Sequence, residues 1–474
     1  MARRSQSAPT VSQRISDFIA RTRAEHIPAE VRETAKLHLL DGLATMLAGS
    51  KEQSAQLLCR HYSAISNRRA EASVLGSKIR LAAEHAASVN GLQGHVLDYD
   101  DAQLTTSPSR PMGQQTHPTS PVLAAVLALA ESERAHGSAL LASYIVGVEV
   151  ACRLGDAIDA SHYLDGLHPT GTLGVFGAAA ACAHLLKLKP VAIRNALGIA
   201  GTLSAGLRAT RGTMAKGLNA GRAAENGLLA AKLAGDGFTA SENIFDDPMG
   251  FFSAACRNKV DDKLLQFGKP FFFTKPGVGI KLYPCVGVLH PALDLLLRLR
   301  QRYGLVPERI KSISITLDAD AALPLVYPQP KDALQAKFSL QFAVAVALAD
   351  GAAGLQQFST ERVRDAKIHK LMKRVALIRR PATGYGQKIG RKIGIDTQVE
   401  IATEQGVIYG ARDRIARGHP ARPASRAEIE EKFCQCAGAV LPAKQIEKCL
   451  ENFWTLERAA SIASWTHAFC PPQR

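Results

Sequence analysis

Apolar residues return at three- and four-residue steps through most of the chain. Between Val11 and Gly49, Val31, Ala35, Leu39, Leu43, Met46 and Leu47 keep to this period, and Gly49 closes the run. The same spacing predicts helices at 82–96, 120–133, 138–157, 173–187, 190–207 and 221–234, with Pro190 suited to the first turn of its helix. No strand pattern competes before about residue 273, so this part is expected to be all-helical. Residues 1 to about 10 read as a loose tail.

The pattern then changes. Lys311-Ser312-Ile313-Ser314-Ile315-Thr316-Leu317 alternates polar and apolar, the two-residue period of a half-buried strand. Two further strands are predicted at 397–402 and 406–411 about Glu404-Gln405-Gly406, with helices at 290–302 and 339–349. From Arg362 to Arg380, Val363, Ile368, Leu371, Val375 and Ile378 read as the buried face of one basic helix. Arg417-Gly418-His419-Pro420-Ala421-Arg422-Pro423 has the composition of a linker, and Ser425 with Glu428 makes a capping box that opens the final helices. The expected fold is mostly α. A large all-helical domain (11–274, joined by returning C-terminal helices at 425–470) carries a smaller inserted α+β domain at 275–418.

Composition narrows the class. The 474 residues are 46% hydrophobic and 21% charged, enough for a sizeable core and two or three domains. A formal net charge of +16 suits either a polyanion or a small acidic substrate. The basic residues are dispersed, aromatics make up 6%, and no recognition module appears, so no nucleic-acid partner is expected. Nine cysteines without disulfide or zinc spacing favour a reducing, cytoplasmic compartment, and Cys152 and Cys182 lie in apolar runs where buried thiols are usual. Met1-Ala2-Arg3-Arg4-Ser5-Gln6-Ser7 lacks a secretory apolar region. The apolar stretches 121–130 and 173–186 read as buried helices, so no membrane partner is expected.

Five segments set chemistry-bearing side chains beside glycine or proline. Gly94 to Asp101 places Asp98, Asp100 and Asp101 near His95, a density of acid that needs either water or cations. His117-Pro118-Thr119-Ser120 follows. Leu167-His168-Pro169-Thr170-Gly171-Thr172 leads into an apolar helix whose N-terminus would suit an anion. Arg211 to Arg222 holds Lys216 among small residues ahead of a helix. Gly279-Ile280-Lys281-Leu282-Tyr283-Pro284-Cys285, then His290, falls at the expected domain boundary, a favoured place for ligands. Phosphate-loop, HExxH, GxSxG, dinucleotide and iron–sulfur patterns are missing, which points to side-chain chemistry.

In this order the five segments resemble the MmgE/PrpD family, which includes 2-methylcitrate dehydratase, cis-aconitate decarboxylase and iminodisuccinate epimerase. The resemblance runs from Leu40-Asp41-Gly42 to the C-terminal helices and takes in Tyr327-Pro328 and Lys337-Phe338-Ser339-Leu340-Gln341. It implies that the smaller domain is a lid, that the site lies beneath it, that the protein is a homodimer, and that no metal or organic cofactor is needed. By similarity the catalytic positions are Asp98, His117, His168, Lys216 and Lys281, with Tyr99, Asp101, His290 and Lys337 as substrate-binding candidates. The long 102–116 connection, Ala102 and Val286 depart from the family pattern. The implied activity is a cofactor-independent lyase of a small anionic di- or tricarboxylate. A hydro-lyase of a 2-methylcitrate-like acid stands first, with an epimerase or a decarboxylase as alternatives; a non-enzymatic basic binding protein is the rival of another class. The lysines would hold charge developing on a carboxylate, and His117 or His168 would move the proton.

Overall fold

Small residues decide how the helices meet. A Cβ on Gly221 would stand 2.4 Å from the Ser88 carbonyl oxygen, one on Gly91 3.0 Å from the Gly221 Cα, and one on Gly227 2.4 Å from the Ala178 Cβ. Helix Ala215–Gly235 therefore lies backbone against backbone on Ala83–Val96 and closely on Gly174–Leu185. Around these three pack Ala29–Gly49, Thr119–Ser132, Gly137–Ala157 and Pro190–Thr202. The computed structural model describes residues 8–65, 70–103, 116–381 and 394–471. Residues 1–7 of the expected tail and most of the 102–116 connection lie outside the described residues.

The helical expectation holds with local changes. The run at 11–49 divides into Val11–Arg21, opened by a capping box from Thr10 to Gln13, and Ala29–Gly49, entered through Pro28. The helix placed at 221–234 begins six residues earlier, at Ala215, so Lys216 lies in its first turn rather than ahead of it. Pro169–Thr172 forms a short helix of its own before Gly174–Leu185. Gly137–Ala157 is long and apolar enough to cross a membrane by length and composition, and 89% of its apolar window is buried inside the protein. Cys152 and Cys182 are buried free thiols.

The first part is not wholly helical, which corrects the sequence reading. Ala72–Ser73 pairs with Arg80–Leu81, and Ala102–Gln103 pairs with Val278–Gly279. Two-residue strands are too short to leave a periodic signal. The second pair matters for the site, because Ala102 opposite Gly279 draws the acidic segment alongside the Lys281 segment.

In the smaller unit, Ile310–Asp318 runs parallel to Val375–Arg380 and antiparallel to Thr397–Thr403, which continues antiparallel to Ile408–Asp413. Helices His290–Tyr303 and Leu340–Asp350 pack with this sheet. The single basic helix expected from Arg362 to Arg380 is a second correction. Thr360–Val363 and Ala366–Met372 are helical, whereas Val375 and Ile378 belong to an edge strand. The Arg374 guanidinium bonds the Ile310 carbonyl, and the β-branched residues after it take up the open side of Ile310–Asp318.

Two hydrophobic cores result. One joins residues from Val11 through Ile280 with Ala424 through Phe469; the other spans Tyr283 through Ile401. Helix Arg426–Ala437 returns to pack on Ala29–Gly49. Gly221→Ala should wedge this close helix pair apart. A loss of about 1–3 kcal/mol in urea unfolding is expected; an unchanged midpoint would show that the contact has slack.

Candidate active site

A cavity of about 130 Å³ opens between the two cores and is lined by Asp98, His117, His168, Lys216, Lys281 and His290, with Tyr163 beside them. The five expected catalytic positions and one of the four binding candidates thus converge on one space.

Asp98 is its centre. The residue follows helix Ala83–Val96 in the left-handed conformation at φ 51°, which Asp tolerates better than most side chains. Its Oδ1 accepts from Lys216 Nζ at 3.1 Å and from Lys281 Nζ at 2.9 Å, and the Lys281 ammonium also donates to the Asp98 carbonyl at 3.1 Å. Oδ2 is buried with no partner among the described residues. Burial alone would raise this carboxyl; the ammonium groups of Lys216 and Lys281 outweigh it and hold Asp98 well below the usual carboxylate range. Lys216 is itself lowered, by burial, against the pull of Asp98.

The histidine tautomers follow from their partners. His117 Nδ1 lies 2.7 Å from the Asp101 carbonyl oxygen, which can only accept, so Nδ1 carries the proton. Its Nε2 is then a lone pair, 4.0 Å from Asp98 Oδ1. At His168 the order is reversed. The Thr210 hydroxyl donates to the Leu207 carbonyl at 2.7 Å, so its oxygen must accept from the Asn219 amide, 3.2 Å away. That fixes the amide nitrogen toward His168 Nδ1, at 3.1 Å, and leaves the His168 proton on Nε2. The cavity therefore holds one imidazole poised to accept and one poised to donate. Burial, with Lys281 next, pushes His117 down to about 3; burial and the neighbouring His95 hold His168 well below its ordinary value. Both shifts favour the neutral imidazole.

Behind them stands His95, whose ring centroid is 4.8 Å from that of His117 and 5.4 Å from that of His168. Its Nδ1–H donates to Asp100 Oδ2 at 2.8 Å, and its Nε2 accepts from Lys216 at 3.0 Å. Ser120 also donates to Asp100 Oδ2, at 2.7 Å. The metal-ligating atoms of His95, Asp100 and His117 lie within 4.8 Å of one another. Yet both Nδ1 atoms are spent as donors on oxygen acceptors, and two ammonium groups stand close by, so these residues suit proton sharing better than a divalent cation.

Three binding candidates turn away from the cavity. Asp101 accepts from His38 at 2.9 Å and from the Thr119 hydroxyl at 2.6 Å, pinning two helices instead of facing a ligand. The Tyr99 hydroxyl donates to the Leu282 carbonyl at 3.3 Å, and Lys432 Nζ sits 3.7 Å over its ring. Lys337 donates to the Pro284 carbonyl at 3.4 Å from behind the wall. None of the three lines the cavity. His290 does face the cavity; it is held by the Cys285 carbonyl at 3.3 Å, and burial lowers it to about 4.

Lys432 clamps the site from outside. Its ammonium donates to the carbonyls of Tyr99 and Lys281, both at 2.8 Å, and pairs with buried Asp41 at 2.5 Å. Burial pushes Asp41 up to about 6 in spite of that pairing.

Residues 13–262 match the model of the MmgE/PrpD N-terminal domain, and residues 283–456 match that of the C-terminal domain. The chain belongs to the MmgE/PrpD family. A human cis-aconitate decarboxylase is 26% identical over 482 residues, covering 98% of this chain and 96% of that protein. A cis-aconitate decarboxylase-like protein of Aspergillus oryzae is 27% identical over 491 residues, covering 96% of each. The cis-aconitate decarboxylase of Aspergillus terreus is 27% identical over 372 residues, 74% of each chain.

Within this family member, several groups on or behind the cavity wall were not singled out from sequence. His95 and Asp100 sit inside the acidic segment, and only the fold shows that they orient Lys216 and His117. Asn219, three residues after Lys216, returns to the same face one helical turn on, a spacing that could have marked it. Arg208 carried no motif.

The buried histidines make a pH test. His117 falls to about 3, and His162 and His290 to about 4, all below the ordinary 6.5. Depressed folded values mean that their contribution to stability is complete above 6.5 and drains away as pH falls through the folded values. Asp41, raised to about 6, works in the opposite sense: its contribution is lost as pH rises through that value. Since the histidines outnumber it, the melting temperature should fall from pH 6.5 to 4. His162→Gln, outside the cavity, should flatten the slope; a profile level over this range in the unaltered protein would show that these histidines titrate normally.

Proposed function

We propose that the protein is a cofactor-independent lyase of a small polycarboxylate, and that its first activity is decarboxylation of an unsaturated tricarboxylate of the cis-aconitate kind. One observation carries this reading: two lysines share the Asp98 carboxylate in a buried cavity that also presents one proton-accepting and one proton-donating imidazole.

The chemistry needs these parts. When CO2 leaves a methylene next to a double bond, the carbon–carbon bonding pair forms a new double bond. The old one moves its pair to a carbon beside a second carboxylate, which takes up one proton. Negative charge gathers on that carboxylate during the step, and Lys216 and Lys281 are fixed cations able to hold it. His117 Nε2, once it has taken up a solvent proton as the polyanion binds, is the group able to deliver that proton and return to the neutral imidazole. The leaving carboxylate becomes neutral, and a wall with Ile280, Val286, Val288 and Phe338 favours the neutral product over the charged group. A bound polyanion would also offset the lysine charges that add to burial in lowering both histidines, raising their proton affinity.

The relatives' names support decarboxylation ahead of the dehydration that the family resemblance had suggested first. Dehydration remains the second reading on a specific ground: it requires a base and an acid together, and His117 Nε2 and His168 Nε2–H are such a pair. Homodimeric assembly, a lid role for the α+β unit and a cytoplasmic location belong to the same proposal; buried free thiols such as Cys152 and Cys182 support a reducing compartment.

Incubation with cis-aconitate in D2O should release CO2 and give a five-carbon product carrying one solvent deuterium on carbon. Lys281→Ala should lower kcat/KM by about 10²-fold or more with the circular dichroism unchanged. Loss of water from citrate or 2-methylcitrate without CO2 would select the second reading. Failure to turn over any di- or tricarboxylate would reject both.

A further inference from the structure

The cavity wall carries more positive charge than its centre uses. Among the described lining residues Asp98 is the only carboxylate, and it is already placed between Lys216 and Lys281. Four arginines line the same space. Arg414 is paired with Asp396 at 3.2 Å, and Arg417 with Asp294 at 3.3 Å and Glu428 at 3.0 Å. Arg208 and Arg211 have no carboxylate partner among the described residues.

Both are held in place by contacts that leave donors over. Arg208 is 9% exposed; its guanidinium carbon lies 3.5 Å from the centroid of the Tyr163 ring, and Nη1 donates to the Tyr163 carbonyl. Its Nε is buried with no acceptor among the described residues. Arg211 Nε donates to the Arg208 carbonyl at 3.1 Å, which sets the two side chains next to each other. The turn that carries them is braced from the α+β unit. Tyr327 donates to the Arg211 carbonyl at 2.8 Å, and a Cβ at Gly212, where φ is +71°, would come within 2.5 Å of the Tyr327 ring. Burial, and next the charge of Arg208, lower Arg211 from its ordinary value. Neighbouring cations that are half out of water and lack counterions are an arrangement that an anion completes, and two planar forks suit a carboxylate better than a point charge does.

We propose that Arg208 and Arg211 form a second carboxylate subsite, apart from the Lys216–Asp98–Lys281 centre, which takes the substrate carboxylate that neither leaves nor gathers the developing charge. The inference rests on the polycarboxylate reading above and deepens it: acids with three carboxylates are preferred over acids with two.

Calorimetric titration with propane-1,2,3-tricarboxylate and with glutarate, which lacks the middle carboxylate, tests this without turnover. The wild-type protein should bind the tricarboxylate about tenfold tighter or more. Arg211→Gln should remove most of that preference while leaving glutarate affinity within about twofold. Arg208→Lys, which keeps the charge and loses the fork, should also shrink the preference and guards against misfolding of the first variant; thermal melts report folding for both. No preference in the wild type, a preference intact in both folded variants, or an equal loss for both acids would overturn the subsite. If the titrations come out as expected and no acid is turned over, the lyase reading fails and the subsite stands.

Discussion

An aspartate that stays ionised out of water requires cations to be brought to it, and this requirement organises the molecule. Asp98, Lys216 and Lys281 lie 118 and 183 residues apart along the chain, measured from Asp98. Each lysine must reach a single oxygen within hydrogen-bond range. The glycine-lined contact between Ala83–Val96 and Ala215–Gly235 brings the first lysine in. The short strand pair of Ala102–Gln103 with Val278–Gly279 brings the second. Without both, a buried carboxylate would take up a proton, and the ammonium groups would lose the partner that offsets their own desolvation.

The same economy sets the proton chemistry. No histidine in the cavity has its tautomer chosen by another reactive group. A backbone carbonyl chooses it for His117, and a threonine–asparagine relay chooses it for His168. Backbone and amide partners do not titrate near neutrality, so the assignment of acceptor and donor persists while charge in the cavity changes. Asp100 and His95 form a buffer layer between these imidazoles and Lys216.

Much of this was legible in the sequence, and the limits are instructive. Periodicity located the main helices and three of the four strands of the larger sheet, because each has enough residues for a period to emerge. Val375 and Ile378 were misread as helical because they continue the three- and four-residue spacing of Ile368 and Leu371, and only the open edge of Ile310–Asp318 draws them into a strand. In the site, segment order named Asp98, His117, His168, Lys216 and Lys281, and all five line the cavity. Tyr99 and Asp101 come from the same acidic segment, yet Asp101 turns to His38 and Thr119 and Tyr99 to Leu282 and Lys432. A motif places a stretch of chain near a site, but the direction of each side chain depends on partners from distant elements. Arg208 and Arg211 show the converse. Arg208 carries no motif and Arg211 merely opens the Lys216 segment, and their meaning appears only when every other cation on the wall has been matched with an acid.

Lys432 bears on how the protein is made. It belongs to helix Arg426–Ala437 and ties together the carbonyls of Tyr99 and Lys281, a residue 151 positions earlier. A nascent chain that has emerged through the whole α+β unit still lacks this tie. The two walls can meet through the Ala102–Gly279 pairing before that, and the tie across Tyr99 and Lys281 is added only once the returning helix has left the ribosome and seats against Ala29–Gly49.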